Sequence, residues 1–219
     1  MTDLADRLAA LSPAKRALLT RLRAAPALAP IPRIADGPAP LSLEQRRLWY
    51  QLQLAPGYPL YTIPLGFRLR GRVDVDALVD ALRELVQRHE VLRTAFRESA
   101  GIPVQEVTDG SAFRPEVMDL RGDEWAEPEA NYQTDAFTRR PYDLAAGETI
   151  HALLVRETDD ELRFFVGLHH LAADGWSAGV LLRELSALYA ARVTGVPANL
   201  PDPPVRYRDW AAWQQRPDR

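Results

Sequence analysis

LRFFVGLHHLAADGWSAG, residues 162–179, decides how the chain is built. Its first seven residues, Leu162–Leu168, read as a strong strand. A second strong strand, Thr149–Arg156, precedes it, and Thr158-Asp159-Asp160 between them reads as a turn. After a short loop, Ser177–Val193 has the spacing of a long amphipathic helix. The strand thus delivers two adjacent histidines, His169 and His170, to a loop that leads into a helix. Neighbouring strand side chains point to opposite faces, so one of the pair packs inward while the other faces an open cleft. Asp174 and Gly175 follow four and five residues after His170. An imidazole, a buried-looking carboxylate and a glycine that frees the backbone make a candidate acid/base site. Without the rest of the string, a His-His pair at a strand end would be read as polar termination.

Upstream, Ser42 followed by Gln45 is a capping-box signature and opens a helix through about Leu54, which Pro56-Gly57 ends. Leu65, Phe67 and Leu69 alternate with polar or small residues, as in a half-buried strand. Asp74 caps a helix with the apolar face Leu78, Ala81, Leu82, Leu85 and Val86, running to about His89. Short strands are expected at Leu92–Glu98 and Val104–Val107, and a helix ends near Arg140. Past the long helix, Pro197 to Pro204 is a proline-rich connector, and Asp209 to Gln215 is a last helical turn or two. Strands alternate with helices, so the fold class is an α/β layered sandwich.

Residues 1–40 read differently. Leu4, Leu8, Leu11, Leu18 and Leu22 recur at helical spacing around Ser12-Pro13, predicting short helices over about 3–10 and 13–24. Ala25 to Pro40 is an Ala/Pro-rich linker. The leader is either a frayed extension or an amphipathic docking element. The domain division is therefore 1–40 as leader and linker and 41–219 as the folded body.

Composition excludes several classes. Of 219 residues 27 are basic and 30 acidic, a net charge of −3, and the arginines are scattered, so no nucleic-acid footprint is present. No cysteine occurs, which removes disulfides, thiolate nucleophiles and cysteine-based metal sites, and no metal site is expected. No signal-peptide architecture and no bilayer-length apolar run is found, so no membrane partner is expected and the cytoplasm is the default location. Gly175-Trp176-Ser177-Ala178-Gly179 satisfies the G-x-S-x-G pattern of a nucleophile elbow between strand and helix. Such a hydrolase needs its catalytic histidine after the serine, and no histidine follows His170. Ser177 is then a hydrogen-bond donor rather than a nucleophile.

HHLAADG, residues 169–175, resembles the HHxxxDG motif of the superfamily that unites condensation domains with chloramphenicol-acetyltransferase-like acyltransferases. Three more stretches, in family order, resemble those of nonribosomal peptide synthetase condensation domains: LSLEQRRLWYQLQL at 41–54, RHEVLRTAF at 88–96 and VRYRDWAAWQ at 205–214. Leu43, Glu44 and Trp210 depart from the usual residues. The resemblance implies the first, N-terminal lobe of a two-lobed chloramphenicol-acetyltransferase-like fold, with the C-terminal lobe as a partner not contained in these residues. It implies amide-bond formation between an upstream carrier-bound acyl or peptidyl thioester and a downstream carrier-bound aminoacyl amine. Donor and acceptor carrier proteins would deliver their phosphopantetheine arms, and the chain itself would bind no cofactor. His170 would meet the amine, as base or by positioning it, with His169 packed behind. Asp174 would be buried and paired with Arg93, or with Arg88 as the alternative. The Gly175 N–H and the Ser177 hydroxyl would be oxyanion contacts, with Trp176 beside them. Trp49, Trp210 and Trp213 read as packing aromatics. An isolated first lobe would leave His170 on an open face and be inactive or nearly so. The alternatives from the same residues are a non-catalytic carrier- or lobe-docking module and an epimerisation-type relative.

Overall fold

The structure, a computed structural model, describes residues 11, 12, 15, 30–54 and 61–216. The chain divides into two units, Met1–Pro32 and Arg33–Arg219. In the first, the Lys15 N–H donates to Ser12 Oγ at 3.4 Å; the helices expected over 3–10 and 13–24 otherwise lie outside the described residues. In the second, the elements in chain order are β1 (Ala39–Pro40), α1 (Leu43–Leu54), β2 (Thr62–Arg70), α2 (Val75–Arg88), a 3-10 turn (Glu90–Arg93), β3 (Thr94–Ser99) and β4 (Ile102–Val107). There follow β5 (Glu116–Asp119), α3 (Ala126–Thr138), β6 (Ile150–Arg156), β7 (Glu161–His169), α4 (Gly175–Thr194) and α5 (Tyr207–Gln214).

The expected hairpin forms the centre of a four-stranded sheet ordered β2-β7-β6-β5. β7 pairs antiparallel with both β2 and β6, and β5 lies parallel to β6. The period-2 rule sorts their side chains cleanly. Ile150, Ala152 and Leu154 of β6 and Leu162, Phe164, Val166 and Leu168 of β7 share one face and are buried. They pack under α2, through Leu78, Leu82, Leu85 and Val86, and under α4, through Leu181, Leu185 and Leu188. Each of the Val, Leu, Ile and Phe side chains contributes about 1.5–3 kcal/mol when fully buried, which makes this layer the main stabilising core. Leu153 and Val155 face the other way and meet Ala130 and Phe137 of α3. His151, Gly167 and His169 share that second face.

Helix ends follow local chemistry. The Asp74 side chain accepts the Ala77 N–H at 2.9 Å to start α2. α1 begins with the expected capping box: Gln45 N–H donates to Ser42 Oγ and Ser42 N–H to Gln45 Oε1, at 3.1 and 3.0 Å. α4 stops at Gly195, which takes the left-handed backbone (φ 74°) that closes a helix without a Cβ clash.

A second sheet, β1-β4-β3, is antiparallel throughout. Its presence moves the start of the folded body upstream of residue 41. Ala39 and Pro40 pair with β4, and residues 34–37 are held by α5 and the arginine that caps it. The Arg206 guanidinium grips Asp209 through two 2.8 Å bonds and donates to the Ile34 carbonyl. Asp209 accepts the Ile34 N–H, and Arg208 donates to the Ala35 and Gly37 carbonyls. The segment from Arg33 that reads as linker therefore belongs to the body. Trp49 packs against the Leu41, Phe96 and Leu171 cluster, and Trp210 lies 5.2 Å from Trp213.

Candidate active site

Every backbone N–H of the loop leaving β7, residues 170–174, is hydrogen-bonded. His169 N–H donates to the Thr149 carbonyl (2.9 Å) and His170 N–H to the Tyr61 carbonyl (2.8 Å). The His169 carbonyl accepts from Ala172 and Ala173. Leu171 N–H donates to His169 Nδ1 (3.1 Å), and the Leu171 carbonyl accepts from Gln45 Nε2 (2.9 Å). Gln45 is 2% exposed and also accepts from Gln105, which in turn donates to the Pro40 carbonyl. His170 projects from this frame as an exposed side chain, while His169 beside it is buried. The two histidines thus take the opposite faces that strand geometry requires.

His169 lies among aromatic groups. Its ring stands edge-on to Tyr142 at 5.3 Å, and Tyr142 stacks flat on His151 at 4.1 Å. Burial, with smaller repulsion from His170 and His151, pushes the His169 pKa down to about 4. Its Nδ1 accepts an N–H, so the single proton of the neutral ring belongs on Nε2. His151 is also lowered, by burial first and Arg140 second, against the opposing pull of Glu148. Its buried Nε2 has no hydrogen-bond partner, and Glu148 is 3.6 Å away. Burial pushes the Tyr142 phenol well up.

Asp174 is placed differently from the expectation. It is exposed, and it caps α4: Oδ1 accepts the Ser177 N–H (2.8 Å) and the Ser177 hydroxyl (2.7 Å), while Asp174 N–H donates to Ser177 Oγ (3.2 Å). The Ser177 bonds hold its carboxyl below the usual carboxylate range. The expected Asp174 pair with Arg93 or Arg88 is not formed. Arg93 donates to the carbonyls of Thr108 and Gln87. Arg88 instead meets Glu184 of α4 at 2.9 Å, where His89 Nε2 arrives on the same carboxylate oxygen at 2.7 Å. Burial raises the Glu184 carboxyl, but the His89 and Arg88 bonds outweigh it and the net shift is downward. The arginines tie α2 and its following turn to neighbouring backbone and to α4, not to the histidine loop's aspartate.

Two further expectations change. The Ser177 hydroxyl proton is engaged by Asp174, so it is not an open oxyanion donor. Gly175 opens α4 without a left-handed backbone, and a methyl group there would meet nothing within 4 Å. Neither the space nor the backbone around Gly175 in the described residues requires glycine. Trp176 is 85% exposed and, with His89, Leu92 and Ala173, lines a cavity of about 160 Å³ beside the loop. Gln45, Tyr61, Thr149 and Glu184 also take part in holding the site, beyond the residues the sequence points to. Only Gln45 had a sequence signal, its capping box, and that signal pointed to a helix start.

The condensation domain family model matches residues 35–218. The phosphinothricin tripeptide synthetase PhsC of Streptomyces viridochromogenes is 44% identical over 99% of the chain, which spans 21% of that protein. Malpinin synthetase of Mortierella alpina is 37% identical over 87% of the chain and 2% of its own length. Among solved structures, the X-domain in complex with OxyB from teicoplanin biosynthesis superposes with a TM-score of 0.75 at 28% identity, covering 87% of this chain and 40% of that one. The starter condensation domain of rhizomide synthetase RzmA gives 0.69 at 23% identity, over 75% and 42%, and shares the fold. The chain spans less than half of each of these proteins. With the family match across both sheets and the histidine loop, the chain belongs to the condensation domain family.

Proposed function

We propose that residues 33–219 form the lobe of a peptide synthetase condensation domain that presents His170 to the amine of a carrier-bound aminoacyl thioester. The amine nitrogen attacks the carbonyl carbon of an upstream acyl or peptidyl thioester. The C–N bond forms, the C–S bond breaks, and the proton lost by the amine goes, through His170 or with its help in orientation, to the departing phosphopantetheine thiol. Aminolysis of a thioester is favourable, so alignment and charge stabilisation are the protein's tasks. One observation carries the proposal: the His170 imidazole faces outward from a loop whose backbone N–H groups are fixed on both sides and whose neighbouring histidine is buried and held neutral. The Gly175 N–H at the start of α4 is the remaining candidate donor to the oxyanion.

The experiment is amide formation between loaded donor and acceptor carrier proteins, with the second lobe supplied. His170→Ala is expected to abolish turnover; unchanged turnover would remove His170 from the reaction. The lobe alone is expected to be inactive or nearly so. A second reading, recruitment without chemistry, draws on the similar X-domain having been solved in complex with OxyB. Carrier or partner binding by His170→Ala, with no turnover by the unaltered chain plus second lobe, would favour it.

A further inference from the structure

We infer that Tyr61 is a positioning residue for the His170 imidazole. The inference rests on His170 being the group that meets the amine. Tyr61 sits one residue before β2 and reaches His170 in two ways. Its carbonyl accepts the His170 N–H at 2.8 Å, which extends the β2–β7 ladder one step past the Thr62–His169 pair. Its ring stands edge-on to the imidazole, with centroids 6.5 Å apart and planes at 82°. The ring is itself fixed, because the phenol donates to Gln51 Oε1 of α1 at 3.0 Å.

The backbone at Tyr61 is unusual. Three non-glycine residues among those described have a left-handed backbone: Tyr61 (φ 67°), Ala100 and Asn199. Ala100 shares the tight β3–β4 turn with Gly101, and asparagine tolerates this conformation through local hydrogen bonding. Tyr61 has neither excuse. A bulky residue held there is conformationally costly and persists only where the surroundings impose it, a pattern that gathers at functional sites. Here the imposed conformation is the one that gives His170 both a backbone anchor and an aromatic wall. An exposed imidazole would otherwise rotate freely, and a misplacement of about 1 Å can cost roughly a hundredfold in rate.

The test uses Tyr61→Ala, Tyr61→Phe and Gln51→Leu, read in two ways. The first readout, NMR of the carbon-bound ring protons of the histidines in the chain itself, needs no activity. Tyr61→Ala is expected to displace the His170 resonances while those of His169 and His151 stay in place; general unfolding would move all three sets. The second is turnover with loaded carriers and the second lobe. Tyr61→Ala is expected to lower kcat and kcat/KM together by roughly 10–100-fold with KM for the carriers unchanged, and Tyr61→Phe to recover most of that loss. Gln51→Leu, which leaves residue 61 intact, is expected to shift the same His170 resonances to a smaller degree and serves if Tyr61→Ala does not fold. Unmoved His170 resonances in the folded variants would overturn the positioning role. Displaced resonances with unchanged turnover would support the contact and overturn instead the assignment of His170 to the reaction.

Discussion

At the scale of single residues, His169 links the site to pH. Its Nδ1 already receives the Leu171 N–H, so protonation would set a new N–H against an existing donor in a buried place. The folded pKa, about 4, lies below the ordinary 6.5. Between those values the unfolded chain binds a proton that the folded chain does not, so stability is present above about pH 6.5 and is lost as pH falls toward 4. From pH 7 to pH 5 this group should remove about 2 kcal/mol. Urea midpoints at the two pH values check it, and His169→Asn, which keeps an acceptor but does not titrate, should lose that much less between them. Asp174 gives a second prediction. As an exposed helix cap its replacement by alanine should cost about 1 kcal/mol in thermal or urea unfolding. A loss near 3–5 kcal/mol would instead indicate a buried ion pair. The pairing of Asp174 was not legible because spacing shows that an aspartate precedes a helix, not which of several arginines, if any, folds back to it. The split between His169 and His170 was legible, since strand alternation alone demands it.

At the scale of elements, the strong periodicities were read well. α2, β6, β7 and α4 have apolar faces long enough to announce themselves, and the caps at Ser42 and Asp74 work as their residue types suggest. β1 and β5 escaped notice for a physical reason. A two-residue strand has no period, and β5 carries one partly buried side chain, Met118, between exposed neighbours, so its only signature is the hydrogen bonding of β6. Gln45 shows the same limit within a helix: its cap is local, but its second amide bond, to Leu171, spans 126 residues. Gln45→Leu is expected to cost roughly 1–3 kcal/mol by leaving buried polar groups unpaired. Hydrogen exchange should show reduced protection at the His170 and Leu171 amides, and unaltered exchange there would sever α1 from the histidine loop.

At the scale of the whole folded unit, α5 and the arginine before it fasten residues 34–37 through a largely buried arginine–aspartate pair. Removing the Asp209 carboxylate leaves Arg206 only the exposed Asp36 at 3.1 Å and Glu90 at 3.8 Å as counter-charges, and Asp209→Ala should cost about 2–3 kcal/mol. Limited trypsin digestion gives an independent check, since the exposed bond after Arg33 should be cut faster once the clamp opens. The fourth motif was legible as a motif, but its task of closing the unit was not, because its partner segment reads by composition as a linker.

The reach of Gln45 also sets a schedule for synthesis. Its amide leaves the ribosome 126 residues before the Leu171 carbonyl it must meet. At about 5–20 residues per second that is a delay of roughly 6–25 s. The core strands complete their ladder only just before, because β7 ends at His169, two residues ahead of Leu171. During translation the histidine loop is therefore the last part of the central hairpin to gain its tethers. A slowed ribosome after residue 171 would give the loop time to lock before α4 and α5 emerge.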